Sequence, residues 1–189
     1  MSKLLFIKRY LNDPKSVGGI APSSSALAEA MVKELDPDPS SLLIELGPGT
    51  GVFTEALIEA GIPQAHLLLV ERDPKFAAML HQMFPRARIA QADARHLKRL
   101  LREVGLEEVR QILSGLPFRS LPPTARLGIA SAIGQCLAPG GVFVQFSYFP
   151  VPPLPSAVVA RYGLIGRQSK IVLRNAPPAF VWKYTKRAA

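Results

Sequence analysis

The 189-residue chain has one cysteine, three histidines and, after Glu108, no aspartate or glutamate. The lone Cys136, set in the apolar helical stretch IASAIGQCLAP, rules out an internal disulfide framework and reads as a buried structural thiol. His66, His81 and His96 lack ligand-like spacing, so no metal site is expected and the three read as structural or surface groups. No apolar run approaches the roughly 18 residues that would span a bilayer; the longest clusters, such as Leu67 to Val70, are strand-sized. The opening MSKLLFIKRYLND is too polar for a secretory core, so the chain is expected to be cytoplasmic.

The missing carboxylates make the charge uneven. Up to Glu108 the net charge is −1, and beyond it the chain carries ten Lys and Arg and no acid. A whole half without a carboxylate favours an anionic partner such as phospholipid or nucleic acid. Nearly half the residues are apolar, enough for one core, and the length suits one domain, residues 1–189.

What is present alternates. An N-terminal extension, 1–36, holds a helix at Lys3 to Leu11, a Gly/Pro connector (SVGGIAPSS) and a serine-capped helix from about Ala26 to Leu35. The core, 42–189, runs LLIEL, helix FTEALIEA; LLLVE, a Pro-started helix through KFAAMLHQMF; ARIAQ, a helix near LKRLLREV; VRQILSG, helix TARLGIASAIGQCLA; and GVFVQFSY. A proline-rich stretch then leads to KIVLR and FVWKY, read as a hairpin. Repeated βα units predict an α/β, Rossmann-like doubly wound sheet covered on both faces, with a terminal antiparallel hairpin and the N-terminal helical extension.

The chemistry concentrates in LLIELGPGTGVF, where a strand meets Glu45 and then Gly47, Pro48, Gly49, Thr50 and Gly51 before a helix. Glycines allow a sharp turn and close approach of backbone N–H groups to a ligand, and the helix N-terminus favours an anionic group. A dinucleotide fingerprint wants Gly or Ala three positions after Gly49, where Val52 stands, so a nicotinamide cofactor is disfavoured. The pattern resembles motif I of class I methyltransferases, whose loop wraps the methionyl part of S-adenosylmethionine. Glu71, ending LLLVE with Arg72 after it, is placed to accept both ribose hydroxyls. Asp93 with Ala94, in QADAR, stands where similar enzymes contact the adenine amino group; Asp93 could equally cap a helix.

After the fourth strand, Ser114-Gly115-Leu116-Pro117-Phe118 is expected to wall the acceptor. Nucleic-acid N-methyltransferases often carry Asn or Asp, then Pro-Pro or Leu-Pro, then an aromatic residue here, and Ser114 is a smaller version. On the next strand Gln145, Ser147 and Phe149 share one face, and Phe146 and Tyr148 the other. Tyr148 comes last, where its ring can stabilise an ammonium and its hydroxyl can anchor or relay a proton. With no carboxylate or histidine on these two edges, proton loss falls to Tyr148, water or solvent.

With IELGPGTG, SGLPF, QFSY and the upstream GGIAPSSSALAEAM in view, the chain resembles, over nearly its full length, bacterial phospholipid N-methyltransferases related to ribosomal RNA adenine dimethylases. The resemblance implies stepwise methylation of the phosphatidylethanolamine head group toward phosphatidylcholine. S-adenosylmethionine is the implied donor, S-adenosylhomocysteine the product, and no metal is used. Cofactor roles carry over to Glu45, Gly47, Pro48, Gly49, Thr50, Gly51, Glu71, Arg72, Asp93, Ala94 and Ser114. Acceptor contacts carry over to Leu116, Pro117, Phe118 and Tyr148, and catalytic roles to Tyr148 and Ser114.

Such enzymes are peripheral membrane proteins, and the N-terminus agrees, with Lys3, Lys8 and Arg9 among Leu4, Phe6, Ile7, Tyr10 and Leu11. This reads as an interfacial helix drawn to anionic lipid on the inner face of the cell membrane. An RNA adenine N6-methyltransferase is the alternative, with nucleic acid as its partner. Such enzymes usually present Asn in place of Ser114 and carry a further helical domain.

Overall fold

The strand Leu43–Leu46 (β1) is apolar at every position except Glu45, and all four of its residues are buried. Such a strand belongs at the centre of a parallel sheet covered on both faces. It lies between Leu67–Glu71 (β2) and Val109–Ser114 (β4), parallel to both. The computed structural model describes residues 24–36 and 41–188. The proposed interfacial helix 3–11 therefore lies outside the described residues.

With Arg88–Gln91 (β3), Leu137–Ser147 (β5), Leu164–Val172 (β6) and Ala179–Lys186 (β7), the sheet has seven strands in the order β3-β2-β1-β4-β5-β7-β6. The first five run parallel, while β7 pairs antiparallel with both β5 and β6. Successive side chains leave each strand on opposite faces. One face packs Ile44, Ile112, Phe143 and Tyr184 against Leu97–Glu103 (α4), Pro123–Cys136 (α5) and Ser156–Arg161 (α6). The other packs Leu43, Leu69, Val144 and Val181 against Ser25–Val32 (α1), Val52–Glu59 (α2) and Pro74–Met83 (α3). This is the class I methyltransferase fold, with the antiparallel hairpin at its end.

Local chemistry starts the helices close to where the sequence suggests, although α1 ends at Val32 rather than Leu35. The Ser24 hydroxyl accepts the Leu27 N–H at the start of α1. Asp73 accepts the N–H groups of Lys75 and Phe76 at the start of α3, with Pro74 in the first turn. At the end of α5 the Lys186 ammonium donates to the carbonyls of Gly134 (3.1 Å) and Leu137 (2.6 Å), putting a cation on the negative end of the helix.

Three readings need correction. Helix α5 stops at Cys136, and β5 begins at Leu137 rather than beyond the Pro-Gly-Gly. Strand β6 begins at Leu164, six residues before KIVLR, and Leu173 and Arg174 fall in the turn after it. Its start, LIGRQS, shows little apolar pattern because an outermost strand is open to water on much of its surface. The proline-rich stretch also contains the short helix α6. At the opposite margin β3 is only partly buried, so continuous burial does not extend to that edge.

Candidate active site

The strand order reverses between β1 and β4, and the crevice outside their carboxyl ends is where open α/β sheets bind ligands. Two loops meet there. The Gly47 N–H donates to the Val70 carbonyl (2.9 Å), and the Gly115 N–H donates to the Leu46 carbonyl (2.9 Å). Gly47, Gly49 and Gly51 all have positive φ (67°, 53° and 87°), the region that favours glycine. A Cβ on Gly47 would sit 2.4 Å from Leu116, and one on Gly115 2.7 Å from the Gly47 carbonyl. At Gly49 a Cβ would meet nothing within 4 Å. The outer glycines therefore let the loop pack, and at the middle one the place a side chain would take is open.

Two buried carboxyls flank this turn. Glu71 accepts the Gly49 N–H (3.1 Å) through one oxygen and the Asp73 N–H (2.8 Å) through the other, so β2 holds the glycine loop directly. Burial raises its pKa, opposed by those N–H donors. Glu45 is fully buried; it accepts the Thr54 hydroxyl (2.6 Å) through Oε2, while Oε1 has no partner among the described residues. Burial pushes its pKa up to about 8, the Thr54 hydrogen bond opposes the rise, and the Glu71 charge adds to it. The carboxyl is mostly neutral at pH 7, and a cation arriving beside it would favour ionisation.

Asp93 lies at the end of β3, apart from this pair. It accepts the Arg95 N–H and is bound by the Arg95 guanidinium at 3.0 and 2.9 Å. Those hydrogen bonds from Arg95 hold its pKa below the usual carboxylate range. The side chain caps the 3-10 turn Ala94–His96, the alternative role the sequence allowed.

On the acceptor side the Ser114 hydroxyl is buried and accepts the Leu116 N–H (3.2 Å), which closes the turn. Phe118 is buried against Phe143 in the core, so it shapes the wall from behind. Gln145 was not singled out by its sequence position. Its Nε2 donates to the carbonyls of Leu116 and Phe146, both at 2.9 Å, pinning the SGLP turn to β5. Tyr148 packs edge-to-face on Phe146 (5.3 Å) and lies beside the Asn175 side chain. Burial raises the tyrosine's pKa and the neighbouring Asn175 side chain lowers it.

Asn175 is the second residue that sequence reasoning missed. It is 4% exposed; its Oδ1 accepts the Ser24 N–H (2.9 Å) and its Nδ2 donates to the Pro177 carbonyl (2.7 Å). It joins the start of α1 to the β6–β7 turn, beside Tyr148. The only signal in the sequence was an Asn between an apolar run and Pro177-Pro178, which reads as a turn. Thr54 was missed too, although its place in the helix after the glycines is the cue.

The model of the ribosomal RNA adenine dimethylase family matches residues 6–104. The chain belongs to that family. It is an S-adenosylmethionine-dependent methyltransferase. Among curated relatives of this family member, the ornithine lipid N-methyltransferase of Singulisphaera acidiphila is 31% identical over 77% of this chain and 78% of that enzyme. The ribosomal RNA small subunit methyltransferase A of Methylococcus capsulatus is also 31% identical, over 62% of this chain, which spans 41% of that protein. The fold is that of a TehB-like S-adenosylmethionine-dependent methyltransferase from Corynebacterium glutamicum, with a TM-score of 0.64 over 97% of both chains at 17% identity.

The crevice suits such a donor. At Gly49 the place a side chain would take is open, and one oxygen of the buried Glu45, at the end of β1 four residues earlier, has no partner among the described residues. Glu71 closes the far side of the same loop. Among the described residues no cluster of metal-ligating side chains occurs, and no helix is long and apolar enough to cross a membrane.

Proposed function

We propose that this methyltransferase acts on the primary amine of a membrane lipid head group. The substrate we favour is phosphatidylethanolamine, methylated stepwise through monomethyl and dimethyl forms toward phosphatidylcholine at the inner membrane surface. The carrying observation is the extent of the likeness to the ornithine lipid enzyme. A continuous match over 77% of the chain necessarily includes the acceptor turn Ser114 to Phe118 as well as the glycine loop.

The chemistry supports this reading. When bound, S-adenosylmethionine supplies an electrophilic methyl group on a sulfonium. Gly47, Pro48, Gly49, Thr50 and Gly51 cradle it, with Glu45, Glu71, Arg72, Asp93, Ala94 and Ser114 around it. Leu116 and Pro117 wall the acceptor, backed by Phe118. Tyr148 offers its ring face to the ammonium that forms, and its hydroxyl to the amine. No carboxylate follows Glu108, so neither of the two acceptor edges, at the ends of β4 and β5, carries one. An alkylamine suits such a site, since it can lose its proton to water before attack, leaving the protein to align nitrogen, methyl carbon and sulfur.

Incubating the full chain with methyl-labelled S-adenosylmethionine, phosphatidylethanolamine vesicles, ornithine lipid vesicles and ribosomal RNA together tests the proposal. Label in the phosphatidylethanolamine head group supports it. Label in ornithine lipid alone moves the substrate within the lipid class, and label in adenine with unlabelled lipid overturns the reading.

A further inference from the structure

The apolar side chains exposed to solvent are not spread evenly. Phe149 (57% exposed) and Val151 follow β5, Ile171 lies near the end of β6 and Leu173 (77% exposed) just past it. Strand register puts these segments at one place. Ser147 of β5 and Ile171 of β6 both pair with Phe180 at the start of β7, so the two strands end together at the carboxyl edge. The Asn175 side chain lies beside Tyr148, so the two loops meet one residue from Phe149 and one from Arg174. The apolar cluster therefore borders Tyr148.

Cations accompany it. The Arg119 guanidinium, in the turn after β4, lies 5.6 Å from the centre of the Phe149 ring. Lys170 and Arg174 flank Ile171 and Leu173, and with Lys33 and Glu29 they line a groove of about 300 Å³ between α1 and the end of β6. Glu29 is the one acid among these groups. Asp73 and Asp93 stand over β2 and β3 instead, beside the cofactor crevice. Over β2 and β3 the acids stand among Arg72, Lys75 and Arg95, with Asp93 paired to Arg95, whereas the half around Tyr148 is apolar and basic.

We propose that this half, with Phe149 and Leu173 at its apolar tips and Arg119, Lys170 and Arg174 around them, docks on an anionic lipid bilayer and turns the acceptor mouth toward it. The inference rests on the lipid-amine reading. Apolar tips enter the acyl boundary while the cations stay with the phosphates. The amine then reaches Tyr148 without the lipid leaving the bilayer. Nucleic acid fits less well, because Phe149 is the only large exposed aromatic among the described residues and stacking needs such faces.

The test is sedimentation of the full chain with vesicles of phosphatidylethanolamine and phosphatidylglycerol, comparing wild type, Leu173→Asp and Ile165→Asp. Ile165 is equally apolar and 54% exposed, but sits at the other end of β6, opposite Thr185. Leu173→Asp should weaken vesicle binding at least about tenfold, the equivalent of one large side chain leaving the lipid. Ile165→Asp should bind as wild type does, and both variants should keep wild-type affinity for S-adenosylhomocysteine.

Equal binding by wild type and Leu173→Asp overturns the proposal, as does an equal loss in both variants. A Leu173→Asp effect on self-association with no effect on vesicles assigns the patch to a second copy of the chain and also overturns it. Labelled lipid with binding indifferent to Leu173 removes this surface and keeps the lipid substrate. Leu173-dependent binding with no lipid methylated keeps the surface and removes the substrate.

Discussion

The two halves of the carboxyl edge are built by different means. On the donor side the decisive contacts are short in sequence: Glu45 reaches Thr54 nine residues on, and Glu71 reaches Gly49 across 22. On the acceptor side they are long, with Gln145 holding Leu116 across 29 residues and Asn175 holding Ser24 across 151. The donor half is a backbone shape set by glycines. The acceptor half is a set of side-chain amides stitching distant segments together.

That contrast can be broken most severely at Gly47. An added Cβ meets Leu116 at 2.4 Å, and the φ of 67° disfavours any side chain. Gly47→Ala should cost about 2–5 kcal/mol of stability from strain and overpacking together. It should also abolish saturable cofactor binding, because it displaces both loops; chemical denaturation and calorimetry read the two effects.

Glu45 comes next. Its carboxyl stays protonated in the fold up to about pH 8, against 4.5 for an ordinary one. The unfolded chain therefore binds fewer protons than the folded one within that window, and stability falls as pH rises through it. Glu45→Gln, neutral throughout, should flatten this part of the melting-temperature profile. A wild-type profile with the same slope as the variant would show that the carboxyl is not held neutral.

The acceptor side should respond differently. Asn175→Ala removes a buried amide that fixes the start of α1 and the β6–β7 turn beside Tyr148, at about 1–2 kcal/mol of stability. It should lower kcat on lipid about tenfold, because the loop beside Tyr148 loses the buried bonds that position it, while leaving cofactor affinity unchanged. A loss of cofactor affinity instead would show that the two halves are not separable.

The smallest effect belongs to Lys186, remote from both. Replacing it by Met removes two hydrogen bonds at the end of α5 and should cost about 1–3 kcal/mol in urea unfolding. Activity of the folded enzyme should be unaltered.

The same contrast explains what could be read without coordinates. The turn GPGTG was legible because positive φ and close backbone approach leave few residue choices, and β1, β2 and β4 because burial on both faces demands unbroken apolar runs. Asn175 was illegible because an isolated Asn near two prolines signals a turn, whatever lies 151 residues away. Most of β6 was hidden for a related reason: an outermost strand imposes no burial pattern on LIGRQS. Asp93 was read for a ligand with a cap as the alternative, and its cap with Arg95 is what the fold displays.

The central claim is that the glycine loop and its two carboxyls grip S-adenosylmethionine. Titrating S-adenosylhomocysteine into the full chain by calorimetry tests it most directly. Saturable binding to wild type, weakened about a hundredfold in a folded Glu71→Ala variant that loses a charge-assisted hydrogen bond to the loop, is the predicted result. Folded wild type that gives no saturable heat, or a Glu71→Ala variant that binds as tightly, would contradict it.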